Sequence, residues 1–336
     1  MGKIELDHTG SGGGITLSSD GTDLLLDGTA IGGGGGGADL YAANESSPTA
    51  QPSATGANAV AIGDQAIASG PDSFAIGEHS DATGTRTHAF GFGAVATHTN
   101  ALALGTSRAF AVEATAISID NNSTSYGASG ANSVAIGYQA KATAFSGFAF
   151  GYQNQSTANY AVTVGRNNVG SSQYSLAIGY EATTRATPSI AFAVGSFSGI
   201  AGQHQSSMFT LRARTTDATS RVLTSDGGSS GSTNDQIILP NNSAFAFHGT
   251  IVARQQAADG TACAAWKVEG LIRREGSAGT TVLVNSATTV LDNTPSWGLA
   301  LSADTTNGGL AITATGAATT DIAWNANIHT SEVTYA

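Results

Sequence analysis

A short phrase recurs through residues 53–199 at a fixed spacing, and a fixed short period leaves a chain few choices other than a solenoid. It reads Val60-Ala61-Ile62-Gly63, Phe74-Ala75-Ile76-Gly77, Ala89-Phe90-Gly91, Leu102-Ala103-Leu104-Gly105 and Val134-Ala135-Ile136-Gly137. The closing glycines at 63, 77, 91 and 105 are fourteen residues apart, and the comb resumes at 137, 151, 165 and 179 before a slightly longer step to Gly195.

Read backwards from each glycine, positions one and three are bulky (Ile62 and Val60, Phe150 and Phe148, Val194 and Phe192). Positions two and four are small (Ala61 and Ala59, Ala149 and Gly147, Ala193 and Ala191). Alternation at period two makes each phrase a strand with one bulky and one small face. Neither face is charged, and a strand apolar on both faces is buried on both. A thin coil covers one face with its own second strand, the weaker half seen in Gln65-Ala66-Ile67-Ala68 and Gln139-Ala140-Lys141-Ala142. The other face then requires copies of the same chain, packed side by side about a common axis. Two bulky side chains per coil, at about 1.5–3 kcal/mol each if fully buried, amount to tens of kcal/mol gross over roughly ten coils. Left in water, such a stripe would aggregate. The glycines are expected at bends of positive φ.

Two coils depart from the rule. In Ala116-Ile117-Ser118-Ile119-Asp120 the expectation is that Asp120 takes the glycine's place, with Asn121 to Gly130 as a polar loop bulging from the stack. His88 stands at a bulky position; in a threefold assembly three copies would face one another and could hold an axial ion, although packing is the simpler role.

The stretch Asn132-Ser133-Val134-Ala135-Ile136-Gly137-Tyr138-Gln139-Ala140-Lys141-Ala142, with its neighbours, resembles the head repeats of trimeric autotransporter adhesins of the YadA type. The resemblance covers about half the chain and implies a left-handed parallel β-roll and a homotrimer.

The flanks read differently. Residues 1–31 hold two short strand-like runs, around Ile15-Thr16-Leu17 and Leu24-Leu25-Leu26. Six glycines, Gly32 to Gly37, then read as a flexible joint, with a polar lead-in to residue 52. The shaft is expected over 53–205. From 206 to 336 short alternating strands follow one another: Phe209–Arg212, Ile237–Leu239, Phe245–Arg254, Ala264–Arg274, Thr281–Val284, Trp297–Leu301, Leu310–Thr313 and Ile322–Val333. Turn signals such as Pro240-Asn241-Asn242 and Asn307-Gly308-Gly309 separate them, which argues for an antiparallel β-sandwich. Trp266-Lys267-Val268-Glu269-Gly270, Ala303-Asp304-Thr305-Thr306-Asn307-Gly308 and Ile328-His329-Thr330-Ser331-Glu332-Val333 resemble the C-terminal β-domain of fibre and other virion proteins of tailed phages. The opening Ile15-Thr16-Leu17-Ser18-Ser19-Asp20-Gly21-Thr22 is similar to structural proteins of marine tailed phages, cyanophages included.

Composition narrows the chemistry. A formal charge of −11 without a long Lys/Arg run disfavours nucleic acid. Arg212 with Arg214 and Arg273 with Arg274 are expected on solvated strand faces. The single cysteine, Cys263, excludes an intrachain disulfide; its apolar surroundings predict a buried thiol. Acidic residues near the N-terminus argue against a secretory leader, and no apolar run is long enough to cross a bilayer. The chain is therefore expected to be soluble and made in a cytoplasm, and the resemblance to tailed-phage proteins implies a host cytoplasm and a working place in a virion.

Apparent catalytic motifs dissolve on inspection. Gly227-Gly228-Ser229-Ser230-Gly231 fits G-x-S-x-G but lacks the strand and helix that a nucleophile elbow needs. Gly91-Phe92-Gly93-Ala94-Val95-Ala96 mimics a dinucleotide fingerprint, yet its first glycine belongs to the comb and no helix follows. Asp64, Asp72, Glu78 and Asp81 fall at turns of a slim rod, where solvated corners rather than a glycosidase pair are expected. The sequons at Asn122 and Asn154 carry no weight without secretion, and Trp266, Trp297 and Trp324 are expected in a core.

The expectation is thus an all-β, non-enzymatic, homotrimeric phage fibre with no catalytic residue and no cofactor. Residues 1–31 would join other virion proteins, and residues 206–336 would meet a host surface glycan or protein, without membrane insertion. A collar or head fibre and a fragment of a bacterial autotransporter-type adhesin are the alternatives.

Overall fold

The computed structural model describes residues 50–335, apart from 119, 121–124, 186–187, 229 and 258–259, together with four N-terminal strands. These strands, Ile4–Leu6, Ile15–Ser19, Leu24–Leu26 and Thr29–Ala30, form an antiparallel sheet in chain order. They belong to a separate unit, Met1–Glu45. The glycine joint at 32–37, most of the lead-in and the first part of the loop expected at 121–130 lie outside the described residues.

From residue 53 the chain winds as a solenoid. Each coil has two short strands, as in Val60–Ile62 and Ile67–Ala68, and each strand pairs in parallel, in register, with its counterpart one coil on. Val60, Ala61 and Ile62 lie opposite Phe74, Ala75 and Ile76, so the fourteen-residue period becomes the strand spacing. One face of the solenoid is a sheet of nine strands; the other contributes ten parallel strands to a sheet of fifteen.

The interior is filled almost wholly by small side chains. Ala75, Ala89, Ala103, Ala116, Ala135 and Ala149 from one sheet meet Ala68, Ala82, Ala96, Ala109, Ala128 and Ala142 from the other, all fully buried. At the glycine bends both the conformation and the space exclude a side chain. Gly151 has φ +118, and a Cβ there would stand 2.1 Å from the Gly165 carbonyl oxygen of the next coil.

Near the end of the shaft asparagine replaces alanine inside the coil. Buried Asn154 donates to the carbonyls of Phe150 and Gly165 and accepts from the Asn168 amide. Asn168 repeats the pattern one coil later with Val164, Gly179 and Ala182. Every polar atom of the first amide is therefore used, as burial demands. Asn154 is 0% exposed, which removes it as a glycan acceptor.

The interrupted coil differs from expectation. Ala116 pairs with Ala103 and Ala135, so Thr115 and Ile117 are its bulky positions and Ser118, not Asp120, holds the glycine's place at φ +54. The interior admits only a small side chain at the central strand position, and Ala116 supplies it; that requirement fixes the register two residues earlier than the Ile117/Ile119 alternation suggests.

The C-terminal region holds antiparallel sheets, as expected, but they are not separate from the shaft. Ser189–Val194, the last parallel strand, pairs antiparallel with His204–Thr215. The fifteen-stranded sheet then runs on through Ile322–Thr334, Ser243–Gln255 and Cys263–Arg274 to Val282–Asp292. A second sheet of Ser220–Val222, Ile237–Ile238, Gly298–Asp304 and Gly309–Thr315 covers one of its faces. Between them lie Phe209, Leu211, Phe245, Ile251, Ile272 and Ile328 against Leu223, Ile237, Leu310 and Ile312. The three tryptophans are in this core: Trp324 stacks on Trp266 at 5.6 Å, tilts against Trp297 at 5.9 Å, and donates its Nε1 proton to Thr215 Oγ1 at 2.9 Å.

A buried ion pair ties the shaft to this module. Arg185 Nε lies 3.1 Å from Glu332 Oε2, with side chains 13% and 0% exposed. Glu332 also accepts from Gln205 Nε2 and Thr330 Oγ1, and Arg185 donates to the Gly202 carbonyl. Burial lowers the Arg185 pKa, and the Glu332 charge opposes that shift only in part. Removing one partner of such a pair strands the other charge, which costs about 3–5 kcal/mol. Glu332→Ala is accordingly expected to destabilise the C-terminal module by roughly that amount, read as an earlier transition in tryptophan fluorescence on urea titration.

Candidate interaction surface

With alanine inside, every bulky residue of the repeat points outwards. Val134, Ile136, Phe148, Phe150, Val162 and Val164 line the outer face of the large sheet, half-buried or exposed. Exposure is greatest where the shaft ends, at Phe192 (50%) and Val194 (72%). The stripe also widens there. In Phe148–Tyr152, Val162–Arg166 and Leu176–Tyr180 the strand continues past the glycine, so a third residue per coil joins the same face.

Those third residues form a ladder. Tyr138 stacks on Tyr152 at 4.9 Å, and the Arg166 guanidinium lies 5.2 Å from the Tyr152 ring and 5.0 Å from that of Tyr180. A second ladder runs along the opposite corner, where Tyr160 and Tyr174 stack at 4.9 Å and Phe145 meets Tyr160 edge-on. Identical coil positions lie one strand spacing apart, about 4.8 Å, which is the distance at which flat rings stack. The signal was in the sequence, in Gly137-Tyr138, Gly151-Tyr152, Gly165-Arg166 and Gly179-Tyr180; it follows the glycine, whereas the stripe precedes it.

His88 sits within the stripe, in register with Phe74 and Leu102, its ring 5.3 Å from that of Phe74 and 5.9 Å from that of Phe90. Among the described residues no three His, Cys, Asp or Glu side chains gather as a metal site.

The carboxylates are dispersed. Asp64 accepts the Ala50 amide, Asp72 accepts from Asn58 Nδ2, and Glu78 lies 3.7 Å from His79; these are corner residues. Asp81 departs from expectation, because it belongs to the strand Asp81–Ala82 of the nine-stranded sheet and is half-buried. Burial raises its pKa, and Arg108 two coils away offsets this only partly. Ser229 of the G-x-S-x-G match lies outside the described residues, while Gly91 is a solenoid bend with φ +125.

Two expectations for the C-terminal module are corrected. Cys263 is exposed, because Ala264, Trp266 and Val268 take the inward positions of its strand and leave the odd-numbered positions outside. Arg274 is half-buried and donates to the Leu239 carbonyl at 2.7 Å, whereas Arg212, Arg214 and Arg273 are solvated.

The YadA head domain repeat is the family whose model matches this chain, over residues 54–80, 82–107 and 128–144. These three segments of the shaft are therefore similar to the YadA head repeat. No curated protein matches the sequence. Among solved structures, similarity extends to the tailspike protein gp49 of Acinetobacter baumannii bacteriophage Fri1, a capsular polysaccharide depolymerase, at 11% identity and a TM-score of 0.23, over 81% of this chain and 54% of that one. The tailspike protein of Acinetobacter baumannii phage AM24 is similar at 10% identity and a TM-score of 0.20, over 81% and 49%. The chain spans about half the length of these two proteins, and at such TM-scores they carry no argument about its function.

Two measurements probe the assignments of exposure. A thiol-reactive dye is expected to label Cys263 stoichiometrically in the native protein; labelling only after denaturation would contradict its outward position. For Asp81 the folded pKa is raised, so folding is favoured by protonation and loses stability as pH climbs from the ordinary value of 3.8 through the raised one. Asp81→Asn is thus expected to raise the melting temperature at pH 7 and to lose that advantage below pH 3.8, as followed by differential scanning calorimetry.

Proposed function

We propose that this protein is a homotrimeric attachment fibre of a tailed-phage virion, acting without catalysis. The observation that carries the reading is the outward stripe of Val, Ile, Leu and Phe, which runs along the shaft and stays half-buried or exposed among the described residues. An apolar surface of that length calls for partners, and copies of the same chain, repeating at the same 14-residue step, supply matched ridges for every coil. Three copies agree with the YadA head-type repeats. On this reading, His88 from three copies would face the common axis, where the stripe already packs it against Phe74 and Phe90.

The virion setting is supported by the resemblance of the N- and C-terminal segments to tailed-phage structural proteins. In this arrangement residues 1–31 attach to the particle, residues 32–52 join them to the shaft at 53–205, and residues 206–336 meet the host surface. Three weak sites on one fibre would then bind together, raising avidity by about 10²–10⁴ over a single site.

The family match favours a second reading, a bacterial surface adhesin built on the same repeats. Immunogold labelling separates the two: gold on phage particles supports the first, and gold on uninfected cells the second. The oligomer itself is tested by sedimentation equilibrium. A species of three times 33.4 kDa is expected, and Ile136→Lys with Val164→Lys is expected to dissociate or aggregate it; a stable, soluble wild-type monomer would refute the proposal. Released sugars from capsule or lipopolysaccharide incubated with the protein would refute the non-catalytic part alone.

A further inference from the structure

We infer that one corner of the solenoid, at the C-terminal end of the shaft, is a cation site in which the Glu181 carboxylate and Asn167 Oδ1 bind one Ca²⁺ per chain. The site lies within a single chain and is independent of the fibre reading above.

The repeat builds this corner. Gln139, Gln153, Asn167 and Glu181 each stand two residues after a bend glycine, with φ between +51 and +64. Their backbones form a ladder, in which Gln153, Asn167 and Glu181 donate their N–H groups to the carbonyls of Tyr138, Tyr152 and Arg166 in the preceding coil. Successive corners are thereby one strand spacing apart, about 4.8 Å. The chain then reverses, and Gly202 donates its N–H to the Glu181 carbonyl. Gly199 and Ala201 of this reversal join Gln139, Gln153, Asn167 and Glu181 in lining a concavity of about 310 Å³.

Two oxygen acceptors there have nothing to accept from. Glu181 is only 3% exposed, and among the described residues no hydrogen bond or ion pair reaches its carboxylate. Asn167 Oδ1, one corner earlier, is also buried without a partner. The other buried glutamate is treated differently: Glu332 receives Arg185, Gln205 and Thr330. The arginines nearest Glu181 in sequence are engaged elsewhere, Arg185 by Glu332 and Arg166 by the rings of Tyr152 and Tyr180. A carboxylate withdrawn from water needs an opposite charge or a metal ion. The described residues supply no such charge.

The donor set selects the ion. No His or Cys lines the concavity, and carboxylate and amide oxygens suit hard cations rather than zinc or copper. With one carboxylate, the site is not a cluster of His, Cys, Asp or Glu, of which the described residues hold none. Ca²⁺ accepts irregular oxygen shells at about 2.3–2.6 Å and completes them with water, whereas Mg²⁺ demands a near-ideal octahedron. The corner spacing is about twice a Ca–O distance, so an ion between two corners reaches oxygens of both. Gln153 Nε2 donates to Gln139 Oε1 at 2.7 Å, which leaves Gln153 Oε1 as a third oxygen on the ladder.

Calorimetric titration of CaCl₂ into the full-length, EDTA-treated protein tests this. One ion per chain is expected, with a Kd of about 10⁻⁴–10⁻³ M for a site with a single carboxylate. Saturating Ca²⁺ is expected to raise the melting temperature. Tb³⁺ is expected to luminesce on excitation of Tyr126, which lines the concavity, and Ca²⁺ to extinguish that signal by displacement. Glu181→Gln keeps the shape and removes the charge; it is expected to abolish the heat and the luminescence while the tryptophan core stays folded. Asn167→Asp adds a second carboxylate and is expected to tighten binding about tenfold. Wild-type protein that gives neither heat nor a melting shift with Ca²⁺ would overturn the inference, as would Ca²⁺ binding that survives Glu181→Gln. Unchanged affinity in Asn167→Asp would overturn the two-residue site.

Discussion

The rest of the structure depends on the thinness of the coil. Two short strands and two tight turns in fourteen residues bring the sheets so close that the space between them admits alanine, serine or threonine and little else. A methyl group buries little area, so the interior of each coil contributes only about 1 kcal/mol per side chain. The parallel ladders satisfy the backbone, but the larger apolar side chains are forced outwards by the same geometry. A slim alanine-cored rod therefore presents on its surface what a globular domain keeps inside.

That constraint relaxes at the C-terminal end in two stages. Asparagine first replaces alanine in the interior, and the backbone N–H and side-chain amide of Asn168 both donate to Asn154 Oδ1 of the preceding coil. The chain then reverses between Val194 and His204 and goes on adding strands to the same sheet, now antiparallel. A second sheet can cover these longer strands, and side chains as large as Trp266 and Trp324 become interior residues. The Arg185–Glu332 pair sits where the two regimes meet. Because the sheet is unbroken there, the orientation of the C-terminal module is set by β-pairing rather than by a linker.

For function, the consequence is a division along the rod. Most of its length carries shape: a periodic apolar face and, toward one end, stacked Tyr and Arg ladders fixed by the coil spacing. Of the shaft carboxylates, Asp64, Asp72 and Glu78 lie at corners, and Asp81 lies on a strand of the nine-stranded sheet.

The sequence by itself determined the solenoid, its period, the assignment of small residues to one face and bulky residues to the other, and the eight C-terminal strands it marked with alternation and turns. Local pattern is enough for these, because side-chain alternation and turn chemistry are properties of neighbouring residues. The tertiary structure decided what depends on distant pairing. It placed Ser118 rather than Asp120 at the bend, since the available space beside Ala103 and Ala135 selects the register. It turned Cys263 outwards, where Trp266 and Val268 claim the core side of the strand, and it drew Arg274 inwards to the Leu239 carbonyl. It also joined the shaft and the C-terminal module into a single sheet, because hydrogen bonds between Ser189–Val194 and His204–Thr215 leave no mark on the composition of either strand.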